Sequence, residues 1–88
     1  MERYKIVYSK QAIKDADNFR NSSLKDKIVK LIRILEVNPF QNPPRYEKLL
    51  GDLKGAYSRR INVQHRLVYE VLKVEKIVKI LKLWTHYE

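Results

Sequence analysis

The stretch Tyr57-Ser-Arg-Arg-Ile-Asn-Val-Gln-His-Arg-Leu-Val-Tyr69 reads as two short β-strands joined by a tight connection at Asn62-Val63-Gln64. Side chains alternate faces along a strand, so Leu67, Tyr69 and Val71 share one face and Arg66, Val68 and Glu70 the other. Arginine precedes an apolar residue near both ends, in Arg60-Ile61 and again in Arg66-Leu67. Strands of this kind build a core with one face and present guanidinium groups to an anion with the other.

The segments on either side decide what covers the apolar face. Tyr4-Lys-Ile-Val-Tyr8 is a β-type run, and Ser9 follows as a helix cap. Ala12, Ala16 and Phe19 recur at helical spacing until Asn21-Ser22-Ser23 interrupts. Ser23 with Asp26 three residues on resembles a capping box and predicts the start of a second helix. Leu24, Ile28, Leu31 and Leu35 form its apolar stripe, widened by Ile32, and Asn38-Pro39 ends it. The three prolines Pro39, Pro43 and Pro44 make an irregular linker. Beyond it, Tyr46 to Leu50 begins a strand and Gly51 and Gly55 mark turns. Lys73-Val-Glu75 is a further turn before a long last strand from Ile77 to Tyr87. On that strand simple alternation groups Ile80, Lys82, Trp84 and His86 on one face, and Leu81, Leu83, Thr85 and Tyr87 on the other. Tight turns imply antiparallel pairing in the second half, whereas a helical crossover lets the first strand run parallel to a neighbour. The expected fold is α+β: two N-terminal helices on one face of a small, mainly antiparallel twisted sheet, with the other face open.

A chain of 88 residues has room for one domain, 1–88, with a modest core. The absence of cysteine excludes disulfides and thiolate metal sites. No apolar run approaches the roughly 18 residues of a spanning helix, and the charged start Met1-Glu-Arg-Tyr-Lys5 leads into no signal-peptide core. A soluble, cytoplasmic protein with no membrane partner is the expectation. The net charge of +9 is divided between the halves, +4 over residues 1–44 and +5 over residues 45–88, so it belongs to the fold and not to a tail. A basic folded domain favours polyanions such as nucleic acid, or an acidic protein.

Alternation directs Arg60 and Arg66 away from the helices, onto the open face. His86 lies on a neighbouring strand with Trp84 and Lys82, and Glu47 stands just upstream of the hairpin. A carboxylate, an imidazole and guanidinium groups suffice for RNA cleavage by acid–base chemistry without a cofactor. The base takes the ribose 2′-hydroxyl proton, the acid protonates the departing oxygen, and the cation stabilises the charge that develops on phosphorus. Tyr57, Trp84 and Tyr87 offer faces for base stacking. Each residue also has a plainer reading: Glu47 as a surface carboxylate, Arg66 bridged to Glu70, His65 as a turn residue, His86 as a residue near a chain end, Trp84 as core. The two histidines have no metal-ligand spacing, and the chain carries no phosphate-binding glycine loop or nucleophile elbow.

The run from Tyr46 to Tyr69, above all Ser58-Arg-Arg-Ile-x-x-x-His-Arg-Leu-Val-Tyr69, together with Asn38-Pro39-Phe40 and the final Trp84-Thr-His-Tyr87, resembles the YoeB/Txe branch of RelE-type toxins. The resemblance spans essentially the whole chain. It implies an endoribonuclease that cleaves mRNA in the A site of the 70S ribosome, and a cognate YefM/Axe-like antitoxin. It further implies that Glu47 is the general base, that Arg66 stabilises the phosphate and that Arg60 assists it. His86 is then the general acid, and Tyr87 orients substrate or acid. Arg59, Lys48, Tyr57 and Trp84 are the expected further contacts to RNA. Some members carry a lysine three residues after the glutamate, where this chain has Leu50 and Lys48 is the nearby substitute. The alternative from charge alone is a non-catalytic module that binds RNA or the ribosome. Whether the free protein is a monomer or a homodimer stays open at this level.

Overall fold

A computed structural model describes residues 3–51 and 55–85, with the backbone alone for 84 and 85. The order is β1 (Lys5–Tyr8), α1 (Lys10–Asp17), α2 (Lys25–Val37), β2 (Tyr46–Lys48), β3 (Ala56–Arg60), β4 (His65–Leu72) and β5 (Ile77–Thr85). The five strands form one sheet in the order β1-β5-β4-β3-β2. Neighbours pair antiparallel except β1 and β5, which run parallel through the two-helix crossover. The α+β architecture is thus the one the sequence predicts.

Local chemistry sets the helix ends. Ser9 is extended and its Oγ accepts from the Ala12 N–H at 3.0 Å, which caps α1. Asn38 stops α2 in an extended conformation immediately before Pro39. The capping box expected at Ser23 does not form. Leu24 is the residue that precedes α2, without a side-chain cap, and the Ser22 Oγ takes the Leu24 N–H at 3.0 Å. The reason is packing: Leu24 reaches the core, so the chain turns around it and Ser22 supplies the local acceptor.

The core lies between the helices and one face of the sheet. Ala12 from α1 and Ile28, Leu31 and Leu35 from α2 pack on Leu67, Tyr69, Val78, Ile80 and Leu83. Burying a side chain such as Leu35 or Leu67 contributes about 1.5–3 kcal/mol each. Simple alternation fails along β5. Tyr69 pairs with Ile80 but Val68 pairs with Lys82, so Leu81 is an extra residue in a β-bulge. Ile80 therefore joins Leu83 on the helix side, while Lys82 and the backbone position of Trp84 fall on the far side, opposite Val68 and Arg66. The irregular backbone is taken up by the first helix. The Ser9 Oγ donates to the Leu81 carbonyl at 2.6 Å, and the Asp15 Oδ2 accepts the Leu83 N–H at 3.0 Å.

The far face is also less bare than alternation implies. Ala56, Ser58 and Val68 lie on it and are buried. No helix among the described residues is long and apolar enough to cross a membrane.

Candidate functional site

The site is set by the register of β2, β3 and β4. Directly opposed residues of an antiparallel pair share a face. Glu47 opposes Ser58, Ser58 opposes Val68, and Arg60 opposes Arg66. All of these lie on the face turned away from the helices, and they surround a cleft of about 240 Å³ lined by Pro44, Arg45, Glu47, Ser58, Arg60 and Arg66. The Arg66 Nη1 donates to the Glu47 Oε1 at 2.8 Å and lies 3.5 Å from the Ser58 Oγ. Arg45 reaches to 4.0 Å from the other carboxylate oxygen. Two of the four residues expected to do chemistry, Glu47 and Arg66, are thus in contact, and Arg60 stands beside them.

Electrostatics follow from this geometry. The hydrogen bond from Arg66, then its charge, hold the Glu47 carboxyl below its ordinary value, with smaller contributions from Arg45 and Arg60. Glu47 is therefore an anion throughout the neutral range, ready to accept a proton. Side-chain exposures of 46% for Glu47 and 22% for Arg66 leave both open to a ligand. Three guanidinium groups against one carboxylate make the cleft cationic, which suits a phosphodiester backbone. A larger cavity of about 360 Å³ lies between the helices and β5, but its lining is dominated by Ala12, Ala16, Phe19, Ile28, Ile32 and Leu83. Tyr8, Asp17, Arg20 and Lys25 also line it, but Arg20 is already bonded to Asp17 at 2.6 Å and no cluster of guanidinium groups faces a carboxylate there as it does in the cleft.

Three of the expected RNA contacts are placed elsewhere. Arg59 lies on the helix side of β3 and is 1% exposed, with its guanidinium held by backbone carbonyls. It is a buried strut and cannot meet substrate. Tyr57 opposes Tyr69 on that same face, where it packs against the core and against Phe40 and Tyr46. It is no stacking platform for the cleft. Lys48 opposes Tyr57, so alternation along β2 directs it away from Glu47. Leu50 is 82% exposed, and neither position returns the missing lysine to the cleft. The shared reason is parity: residues adjacent in sequence to Glu47, Ser58 and Arg60 must face the other way. Trp84 pairs with Arg66 through its backbone, while its side chain, and His86 and Tyr87 altogether, lie outside the described residues.

His65 keeps a structural role. Its Nδ1 is 2.9 Å from the Asn62 Oδ1, which also accepts the backbone N–H groups of Gln64 and His65, and its ring meets Phe19 edge-on. Sequence reasoning missed Ser58 and Arg45. Ser58 was findable, since it shares parity with Arg60. Arg45 follows a proline in a segment with no periodicity, so no pattern pointed to it.

With two helices on one face of a five-stranded sheet and a basic cleft built around a carboxylate on the other, the chain shares the RelE-type fold of solved YoeB and YafQ toxins. The chain belongs to the YoeB family: the family model described as "YoeB-like toxin of bacterial type II toxin-antitoxin system" matches residues 8–87. A YoeB toxin of Mycobacterium bovis is 41% identical over 61 residues, which is 69% of each chain. Among solved structures, a YoeB/ParE toxin from Agrobacterium tumefaciens superposes with a TM-score of 0.84 at 30% identity, covering 94% of this chain and 99% of that one. A YoeB–YefM complex from Staphylococcus aureus gives 0.80 at 36% identity, covering 97% and 99%.

Proposed function

We propose that this YoeB-family toxin is an endoribonuclease that cleaves mRNA in the ribosomal A site. The observation that carries the reading is the 2.8 Å contact between Glu47 and Arg66 in a cleft shared with Arg60. Glu47 takes the proton from a ribose 2′-hydroxyl, and the 2′-oxygen forms its bond to the adjacent phosphorus. The bond from phosphorus to the 5′-oxygen breaks, and His86 gives its proton to that leaving oxygen. Tyr87 orients this end of the substrate. The products are a 2′,3′-cyclic phosphate and a 5′-hydroxyl end. Arg66 and Arg60 stabilise the charge that builds on the phosphate oxygens, commonly the largest contribution in such a site.

Binding and basicity are coupled through Arg66. In the free protein Arg66 lowers the Glu47 pKa and so weakens it as a base. A substrate phosphate competes for the same guanidinium, and Glu47 gains basicity as that hydrogen bond is given up. The base is therefore strongest when substrate is in place.

The partner is a YefM-like antitoxin, as in the staphylococcal complex, and the expected compartment for both is the cytoplasm. An acidic flexible segment suits a chain of net charge +9. The test is to incubate programmed 70S ribosomes with the protein and identify the mRNA ends. Cyclic or 3′-phosphate ends that disappear with Glu47→Gln and Arg66→Ala support the reading. Intact mRNA on ribosomes that still bind the protein turns it into a non-catalytic binding module.

A further inference from the structure

The most heavily engaged polar side chain in the described structure lies on the opposite face from the cleft. The Arg59 Nη1 donates to the Pro44 carbonyl at 2.6 Å, and its Nη2 donates to the carbonyls of Pro39 at 3.0 Å and Gln41 at 2.9 Å. The guanidinium carbon sits 5.2 Å from the centre of the Tyr46 ring and 6.0 Å from that of Tyr69. The Tyr69 hydroxyl donates to the Pro39 carbonyl as well, at 2.9 Å. Burying a charge in this way is unfavourable unless hydrogen bonds compensate it, yet the Arg59 Nε is buried without a partner.

What this clamp holds is the segment leading into β2. Three of its residues are prolines, which donate no backbone N–H, and its own hydrogen bonds are short-range ones, from the Phe40 and Gln41 N–H groups to Asn38 and from the Gln41 side chain to the Pro43 carbonyl. β2 is only three residues long and lies at the edge of the sheet. Pairing with β3 sets its register, and what grips Pro39 to Pro44 sets the path of the chain into it. Arg59 grips that segment from one face of β3, while its neighbours Ser58 and Arg60 project into the cleft from the other. Pro44 and Arg45 are both lining residues, and Glu47 follows two positions later.

We propose that Arg59 is a positioning residue for the reactive pair: by gathering the Pro39, Gln41 and Pro44 carbonyls it fixes the approach to β2 and so places Glu47 against Arg66. The inference rests on the cleft being the ribonuclease site, and it assigns the first arginine of Ser58-Arg-Arg-Ile61 a role at a distance from RNA. Arginine is required because one planar fork reaches three carbonyls, whereas lysine supplies a compact point charge. Tyr69 is the second arm of the clamp, and burial pushes its phenol above the ordinary value, so it remains a donor.

The test uses Arg59→Lys, which retains the charge but loses the fork, and Tyr69→Phe, which removes one of two donors on the Pro39 carbonyl. Two readouts are taken on the intact protein: NMR titration of the Glu47 carboxyl, and the single-turnover rate of mRNA cleavage on saturated ribosomes. In Arg59→Lys the Glu47 midpoint is expected to rise toward the ordinary value of about 4.3. The cleavage rate should fall roughly 10- to 100-fold, with ribosome affinity unchanged. Tyr69→Phe should move both in the same direction by less. A folded Arg59→Lys protein with wild-type titration and rate overturns the proposal, because a strut that serves stability alone moves neither. Should Arg59→Lys fail to fold, the same two measurements on Tyr69→Phe decide, with wild-type values again contradicting it. The titration needs no ribosome, so it tests the clamp even if the protein proves not to cleave mRNA.

Discussion

Glu47 is held as an anion by Arg66, the residue that must release it in the proposed mechanism. Arg66 lowers its pKa, and Arg45 and Arg60 add to the effect. The sign of the pH dependence follows. A depressed carboxylate pKa contributes stability above the ordinary value, and that contribution is lost as pH falls through the folded-state value. With nearly half of the side chain exposed, solvent screening keeps this contribution small, so Glu47→Gln should leave the unfolding midpoint close to wild type. Its effect belongs to the chemistry: a loss of about 10²–10⁴-fold in cleavage rate, measured in a single turnover on ribosomes. The acid limb of kcat/KM, which reports the free protein's base, should lie below the ordinary carboxylate pKa of about 4.3 and move up in Arg66→Gln. An acid limb above that value in the wild type would contradict the pairing. In the proposed mechanism the two groups act on one transition state, so losses in Glu47→Gln and Arg66→Ala should not add in the double variant.

At the scale of elements, local signals were legible wherever one residue's chemistry decided the outcome. Ser9 and Asn38-Pro39 bound the helices as the sequence predicts, because a hydroxyl cap and a proline act on their immediate neighbours. Alternation also placed Arg60 and Arg66 together, since β3 and β4 pair without interruption. It failed along β5, where the bulge at Leu81 has no sequence signature and its exposed carbonyl is taken by the Ser9 Oγ at the start of α1. The same alternation sends Arg59 and Arg60, two identical side chains at adjacent positions, to opposite faces, so only one of them can reach the cleft. Ser9 joins the two kinds of information, as it caps α1 and holds the Leu81 carbonyl. Ser9→Ala should therefore cost about 1–2 kcal/mol, somewhat more than an isolated cap, measured by urea unfolding. A loss within a few tenths of wild type would mean that the bulge is held by the strands alone.

Across the whole molecule, the charge of +9 is distributed over the fold while the cleft collects Arg45, Arg60 and Arg66. Association with ribosomes should weaken steeply with salt, and each phosphate contact removed should reduce the slope of log K against log salt by about 0.7–0.9. Arg60→Gln therefore flattens that slope by about one contact, read from binding at several ionic strengths, and an unchanged slope would remove Arg60 from the phosphate path. The architecture follows from burying one face of a sheet under two helices. The choice of reaction does not, since a basic cleft binds RNA whether or not it cuts it. The most direct measurement is therefore of the mRNA itself on programmed ribosomes. Wild-type protein should produce fragments ending in a 2′,3′-cyclic phosphate or 3′-phosphate, with folded Glu47→Gln and Arg66→Ala at least about 100-fold slower. Intact mRNA with the wild type, or undiminished cleavage by both variants, would contradict the account.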